Sequence, residues 1–261
     1  MSMGRKGARL GQHFLKNFAY AQKLAHAAGV GTGNTVIEIG PGKGILTEAL
    51  LKTGARVIAI EKDETLVHVL EEKFSEQVVS GTLKIVNDDV RNFGLRNIEG
   101  EYVLAANIPY YITGEIVRAF LTAEHQPRTM ALLVQKEVAQ RIVAEKESIL
   151  SLSVKAYGTP KIVARVNRKH FSPPPSVDSA ILVIENISTV FFTEISEGDF
   201  FKVVRAGFAS KRKMLAGNLA RVFHKEKVSA AFAKCEISEK VRAEDVALAG
   251  WKCLTATLQE N

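Results

Sequence analysis

The chain has 261 residues, 46% of them apolar, and carries a formal net charge of +7. That is enough apolar material for one large domain, or one domain with a small satellite, and it excludes a wholly disordered chain. No apolar run reaches the roughly 18 residues that span a bilayer, and the basic start Met1–Arg9 has no apolar stretch behind it, so neither a transmembrane helix nor a signal peptide is expected.

Thr35–Ile39 is the first β-rich run, and it opens onto Gly40-Pro41-Gly42-Lys43-Gly44. Ile45–Leu51 then has helical character and stops at Gly54. Arg56–Ile60 is a second strand ending at Glu61, and Asp63–Phe74 reads as a helix. Leu83–Val86 is a third strand, followed by Asn87-Asp88-Asp89, and Tyr102–Ala106 is a fourth, followed by Asn107-Ile108-Pro109-Tyr110-Tyr111. Gly114–Ala123 is helical, and Thr129–Val134 is a fifth strand. This alternation predicts an α/β fold, a mostly parallel sheet with helices on both faces. Lys161–Val166 and Ala180–Glu185 read as two further strands, antiparallel at the sheet edge, with the stiff Phe171-Ser172-Pro173-Pro174-Pro175 loop between them. From Gly198 onward only helices are expected. The boundary is drawn near 190, giving a large domain over 1–190 and a small all-helical domain over 191–261.

Cys235 and Cys253 are the only cysteines and form no C-x-x-C pair, so two reduced structural thiols in a cytoplasmic protein are expected. The six histidines are scattered without metal-ligand spacing, so no metal is expected. The basic balance favours a polyanionic partner, most often nucleic acid.

The glycine loop narrows the ligand. A dinucleotide fingerprint needs G-x-G-x-x-G, but Ile45 stands where its third glycine belongs, and no Walker G-x-x-x-x-G-K-[ST] run exists. What remains is E-x-G-x-G-x-G over Glu38–Gly44, with Glu61 ending the second strand and Asp89 just past the third. An acid at the first of these places can accept two ribose hydroxyls, and one at the second can meet an adenine amine. Taken singly, Glu61 is equally a solvated strand-end charge and Asp89 a turn or helix cap. Together these features resemble the class I S-adenosylmethionine-dependent methyltransferases, which implies a Rossmann-like, seven-stranded sheet with the cofactor's amino-acid end over Gly40–Gly44.

With a methyl donor at the strand ends, Asn107 acquires a chemical reading. An adenine amine is a poor nucleophile until its N–H groups meet fixed acceptors. The Asn107 side-chain oxygen supplies one, and the carbonyl of Ile108 or of Pro109 a second, as preorganised electrostatics and positioning without a strong base. Tyr110 offers a flat face for an unstacked base. On spacing alone, Asn107-Ile108-Pro109 is equally a strand-to-helix turn.

Asn107-Ile108-Pro109-Tyr110 is similar to the [NDS]-[LI]-P-Y signature of N6-adenine methyltransferases. Gly11-Gln12-His13-Phe14-Leu15 resembles the box that opens rRNA adenine dimethyltransferases, and Phe171–Ser179 resembles their F-x-P-x-P-x-V-x-S box. Phe208–Leu215, with Asn218-Leu219, resembles their C-terminal F-x-x-[RK]-R-K-x-L stretch. The chain is therefore identified as a member of that family, in its small-subunit rRNA branch. The resemblance implies S-adenosyl-L-methionine as cofactor and dimethylation of two adjacent adenosines in a hairpin near the 3′ end of small-subunit rRNA during ribosome biogenesis. It implies His13 and Leu15 bordering the cofactor, with Gly40, Glu61, Asp89 and Asn107 as its main contacts; Asp88 is a rival to Asp89, which aligns with the family's single acid. Phe171 is implied to cover the flipped base opposite Tyr110, although by itself it reads as a core residue anchoring the proline loop. The alternatives are a macrolide-resistance-type enzyme acting on large-subunit rRNA and a non-catalytic ribosome assembly factor.

Basic residues cluster between 200 and 228, with Lys211, Arg212 and Lys213 as the RNA-binding candidates. Arg5, Lys6, Arg9 and Lys16, then Arg165, Arg168 and Lys169, are two further basic segments suited to an RNA backbone. The interleaved Phe201, Phe208 and Phe223 recur at helix-like intervals and read as core. A monomer that binds rRNA or a pre-30S particle, with no membrane partner, is the expected state.

Overall fold

The computed structural model describes residues 13–93 and 98–259. The basic arm at Arg5, Lys6 and Arg9, and the Gly11-Gln12 start of the first box, lie outside the described residues.

Each apolar run becomes a strand: β2 (Thr35–Ile39), β3 (Arg56–Glu61), β4 (Leu83–Asn87), β5 (Tyr102–Asn107) and β6 (Thr129–Gln135) pair in parallel. β5 and β6 are buried almost end to end, as parallel strands covered on both faces must be. Two further strands, β7 (Thr159–Val166) and β9 (Ser179–Glu185), complete a seven-stranded sheet of order β4-β3-β2-β5-β6-β9-β7. β9 runs antiparallel to β6 and is buried, while β7 takes the edge with alternating exposure. Helices α2 (Ile45–Leu51), α3 (Glu64–Lys73), α4 (Ser75–Val79) and α5 (Thr113–Leu121) link the parallel strands, and α6 (Lys136–Val143) follows β6. Successive strands lie on one side of β2 until β4, and β5 then pairs with its other side. This reversal leaves a crevice at the carboxyl ends of β2 and β5, where ligands bind in open α/β sheets.

Two elements are not among those expected from the sequence. Helix α1 (Phe18–Ala27) is capped by the Asn17 side chain, which accepts from the Ala19 N–H at 3.0 Å. The two-residue strand β1 (Phe14–Leu15) pairs antiparallel with β8 (Phe171–Ser172), Phe14 against Ser172 and Leu15 against Phe171.

The chain forms two compact units, one holding the described residues up to Ala139 together with Pro160–Ile187, the other Gln140–Thr159 and the described residues from Ser188. The sequence predicts a single boundary near 190; the units also assign Gln140–Thr159 to the helical part. Hydrogen bonding explains this. The Glu147 N–H donates to the Glu244 carbonyl at 2.7 Å, the Ser188 N–H donates to the Tyr157 carbonyl at 2.9 Å, and Lys146 pairs with Glu244 at 3.0 Å. Within this unit are α7 (Ile149–Lys155), α8 (Glu197–Gly207), α9 (Leu215–Leu219), α10 (Lys225–Lys234) and α11 (Leu248–Gln259). The expectation of two reduced thiols is overturned: α10 and α11 pack side by side and bring Cys235 and Cys253 into a disulfide.

Candidate active site

At the carboxyl end of β2 the backbone turns through three glycines, all at positive φ. The Gly40 N–H donates to the Ile60 carbonyl at 3.0 Å, tying the loop to β3. At Gly42 and Gly44 a side chain is excluded for steric reasons. A Cβ on Gly42 would sit 2.8 Å from the Phe14 ring, and one on Gly44 would sit 2.5 Å from Phe74. Glu61, buried at the end of β3, accepts from the N–H groups of Gly42 (3.1 Å), Lys62 (2.9 Å) and Asp63 (3.0 Å). The carboxylate is thereby fixed facing the crevice, which it lines with Gly40, Gly42, Asp89, Asn107 and Tyr110.

Sequence reasoning places Glu38 in the glycine motif but not among the site residues. It is 1% exposed, and neither carboxyl oxygen has a hydrogen-bond partner among the described residues. It lines a small cavity beneath the loop with Leu15, Gly40, Lys43 and Asn107. Burial pushes its carboxyl up to about 8, outweighing the downward pull of nearby Thr47. An orphaned acid of this kind needs a cationic or hydrogen-bonding partner. The available signal was its position as the first residue of E-x-G-x-G-x-G.

Asp88 and Asp89 both line the crevice. Asp89 Oδ1 accepts from Arg91 Nε at 2.9 Å and from the Arg91 N–H at 3.1 Å, while Oδ2 takes Arg91 Nη2 at 2.5 Å and Lys62 Nζ at 2.8 Å. The Arg91 guanidinium, with Lys62, holds the Asp89 carboxyl well below the usual carboxylate range. Asp88 Oδ1 instead accepts the Asp89 N–H at 2.7 Å.

Asn107 is the last residue of β5. Its Nδ2 donates to the His13 carbonyl at 3.0 Å, so the amide nitrogen is committed and Oδ1 remains an acceptor. The Pro109 carbonyl accepts from the Ile112 N–H at 3.1 Å, closing a 3-10 turn over Tyr110–Ile112. The Ile108 carbonyl is therefore the freer of the two candidate acceptors. Tyr110 lies with its ring 5.7 Å from the His13 ring, and its hydroxyl bonds Ser179 Oγ at 2.7 Å. Burial raises its phenol above the ordinary value.

One expected position differs. The Phe171 side chain is 0% exposed and packs in the core with Leu15 and Val166. It presents no ring face to the crevice, because the β1–β8 ladder seals it beneath the N-terminal strand. Leu15 lines the small cavity beneath the glycine loop, with Glu38, Gly40 and Asn107.

Residues 3–260 match the family described as Ribosomal RNA adenine dimethylase. The chain belongs to that family. Among its relatives are two proteins named ribosomal RNA small subunit methyltransferase A. The one from Dehalococcoides mccartyi is 41% identical over 98% of this chain and 89% of its own length, and the one from Moorella thermoacetica is 36% identical over 95% and 91%. A dimethyladenosine transferase from Plasmodium falciparum superposes with a TM-score of 0.78 at 24% identity, covering 93% of this chain and 96% of its own. The 23S rRNA methyltransferase ErmE superposes with a TM-score of 0.77 at 24% identity, covering 95% and 100%. At this identity both establish the fold alone, and they confirm the class I methyltransferase architecture. Membership in the dimethylase family makes the chain an rRNA adenine methyltransferase.

In this dimethylase the basic C-terminal stretch is a built loop. Lys211, Arg212 and Lys213 are exposed between α8 and α9. Buried Asn218 holds the loop, its Nδ2 donating to the carbonyls of Gly207 at 2.7 Å and Ser210 at 3.0 Å. Phe208, half-buried like Phe201 and Phe223, stacks on the buried Trp251 with ring centroids 5.4 Å apart. No helix among the described residues is long and apolar enough to cross a membrane, and no group of three or more metal-ligating side chains occurs among them.

Proposed function

We propose that this dimethylase transfers methyl groups from S-adenosyl-L-methionine to the N6 amines of two adjacent adenosines in a hairpin near the 3′ end of small-subunit rRNA. It would act as a cytoplasmic monomer on the RNA or a pre-30S particle. The observation that carries the chemistry is the commitment of the Asn107 amide nitrogen to the His13 carbonyl, which leaves the oxygen for substrate. The names of the 41% and 36% identical relatives favour the small subunit.

The residues fit the cofactor. Glu38 offers a buried, unpartnered carboxyl to an ammonium group beneath the glycine loop, and Gly40 leaves open space where a Cβ would stand. Glu61 would accept ribose hydroxyls, and Asp88 or Asp89 the adenine amine. His13 would border the site and Leu15 would wall its floor. Bound there, S-adenosyl-L-methionine supplies an electrophilic methyl group on sulfur.

The protein's part is orientation. Asn107 Oδ1 and the Ile108 carbonyl would accept the two N–H groups of the target amine, turning its lone pair toward the donor. After the first transfer one N–H remains, and one acceptor suffices. Tyr110 would support the extruded base on its ring face. Lys211, Arg212 and Lys213 would hold the RNA backbone.

Incubation with radiolabelled-methyl cofactor and under-methylated small subunits, followed by mapping, tests this reading. Dimethyladenosine at two adjacent positions is expected. Label only with large subunits would replace the proposed substrate, and no label with either subunit would sink the catalytic reading in favour of an assembly factor.

A further inference from the structure

Phe171 opens the F-x-P-x-P-x-V-x-S box, yet its ring is sealed in the core. The box reaches the active site by other atoms. The Pro173 carbonyl accepts from His13 Nδ1 at 2.8 Å, so that nitrogen carries a proton. Ser179, at the start of β9 and 0% exposed, bonds the Tyr110 hydroxyl at 2.7 Å across 69 residues. The two rings so held lie 5.7 Å apart between centroids, tilted by 32°.

We infer that Ser179 is a positioning residue for methyl transfer, holding the Tyr110 ring as a fixed platform for the target base. This deepens the proposed function and rests on it. A tyrosine side chain has two rotatable bonds, and a stacking surface is useful only if both are set before the base arrives. The backbone end of Tyr110 is set by the 3-10 turn after Pro109. The far end of the ring is set by Ser179, whose own place is fixed by the Gln135–Ser179 register of β6 and β9. The ring is thus held at both ends where it lines the crevice. Ser179 touches neither base nor cofactor in this scheme and acts through Tyr110 alone.

The test compares the parent with Ser179→Ala, Tyr110→Phe and the double variant, using under-methylated small subunits as substrate. Each single variant removes the same hydrogen bond from opposite sides. Each is expected to lower kcat roughly ten- to hundredfold, with cofactor Kd unchanged and KM for the subunit changed by less. The double variant is expected to be no slower than the slower single one, because there is only one bond to lose. With 2-aminopurine at the target position, both single variants should show stronger fluorescence than the parent, reporting a base less well stacked. A kcat within twofold of the parent for either single variant overturns the inference, as do losses that multiply in the double variant. Should Ser179→Ala fail to fold, Tyr110→Phe decides alone. A parent that labels neither subunit would instead overturn the functional reading, so the two failures are distinguishable.

Discussion

The side-chain nitrogen of Asn107 donates to the backbone carbonyl of His13 at 3.0 Å, across 94 residues of sequence. The N-terminal strand therefore orients the amide that ends β5. It does so from a fixed position, since β1 is paired to β8 and the Lys16 N–H donates to the His170 carbonyl at 2.8 Å.

Asn107→Ala should leave RNA binding close to the parent and lower kcat about 100- to 1000-fold, the usual effect of removing one preorganised polar group. Asn107→Asp should be nearly as slow, because a carboxylate cannot donate to the His13 carbonyl and is repelled by it. Single-turnover methylation with saturating cofactor measures both. Turnover of Asn107→Ala within a few-fold of the parent would remove Asn107 from the acceptor role.

Glu38 makes stability and cofactor binding respond to pH in opposite directions. Its carboxyl titrates at about 8 in the folded protein, against 4.5 for an ordinary glutamate. Between those values the native state keeps a proton that the unfolded state has lost, so stability falls as pH rises through the window. Glu38→Gln should therefore gain in Tm relative to the parent, and the gap should widen from about pH 5 to about pH 8. An ammonium group favours the ionised acid, so parent cofactor affinity should rise from about pH 6 to about pH 8, with proton release on binding. Calorimetry in two buffers reads the proton count, and a pH-independent Tm gap would refute the buried-acid account.

Gly40 and Gly44 should separate binding from folding. The Cβ of Gly44→Ala would meet Phe74 and Leu70, at a backbone φ of 76°. That variant should lose on the order of 2 kcal/mol or more of stability. Gly40→Ala, whose Cβ meets nothing within 4 Å, should carry only the backbone strain, about 1 kcal/mol, and instead weaken cofactor binding. Thermal melts with and without cofactor distinguish the pair. Equal Tm losses in the two variants would contradict the difference in packing.

Asp89 enters cofactor binding already engaged by Arg91 and Lys62. Lys62 is 62% exposed, so its pair with Asp89 is a weak, screened one. Lys62→Met should change cofactor affinity by no more than about fivefold, while Asp89→Asn weakens it further. A reduction with Lys62→Met larger than with Asp89→Asn would shift the role to the lysine.

Replacing Lys211, Arg212 and Lys213 together by Ala should weaken RNA binding and flatten its salt slope by about one unit for each phosphate no longer neutralised. Asn218→Ala should produce part of the same flattening without changing charge, because its two hydrogen bonds shape the loop. Filter binding across a salt series reads both, and unchanged slopes would take this loop out of the RNA interface.

Much of this molecule is local and therefore readable in the chain. Buried parallel strands are short apolar runs ended by polar residues, so Thr35–Ile39 and Tyr102–Asn107 announce themselves, and with them the glycine turn, Glu61 and Asn107 at the strand ends. Helix α1 buries Ala21, Leu24 and Ala25 at i, i+3 and i+4, a helical spacing that lies in the chain ahead of the strand–helix alternation. The rest depends on partners distant in sequence. A two-residue ladder between β1 and β8 has no periodicity, yet it turns Phe171 into the core. Cysteine spacing does not say whether two helices will bring their sulfurs together, as α10 and α11 do. The apolar pattern and the motifs determined the sheet, its ligand end and the chemistry of the side chains there. Only the tertiary structure decided which of those side chains face the crevice and what holds them, because orientation is set by hydrogen bonds and packing between segments that the chain's local pattern does not connect.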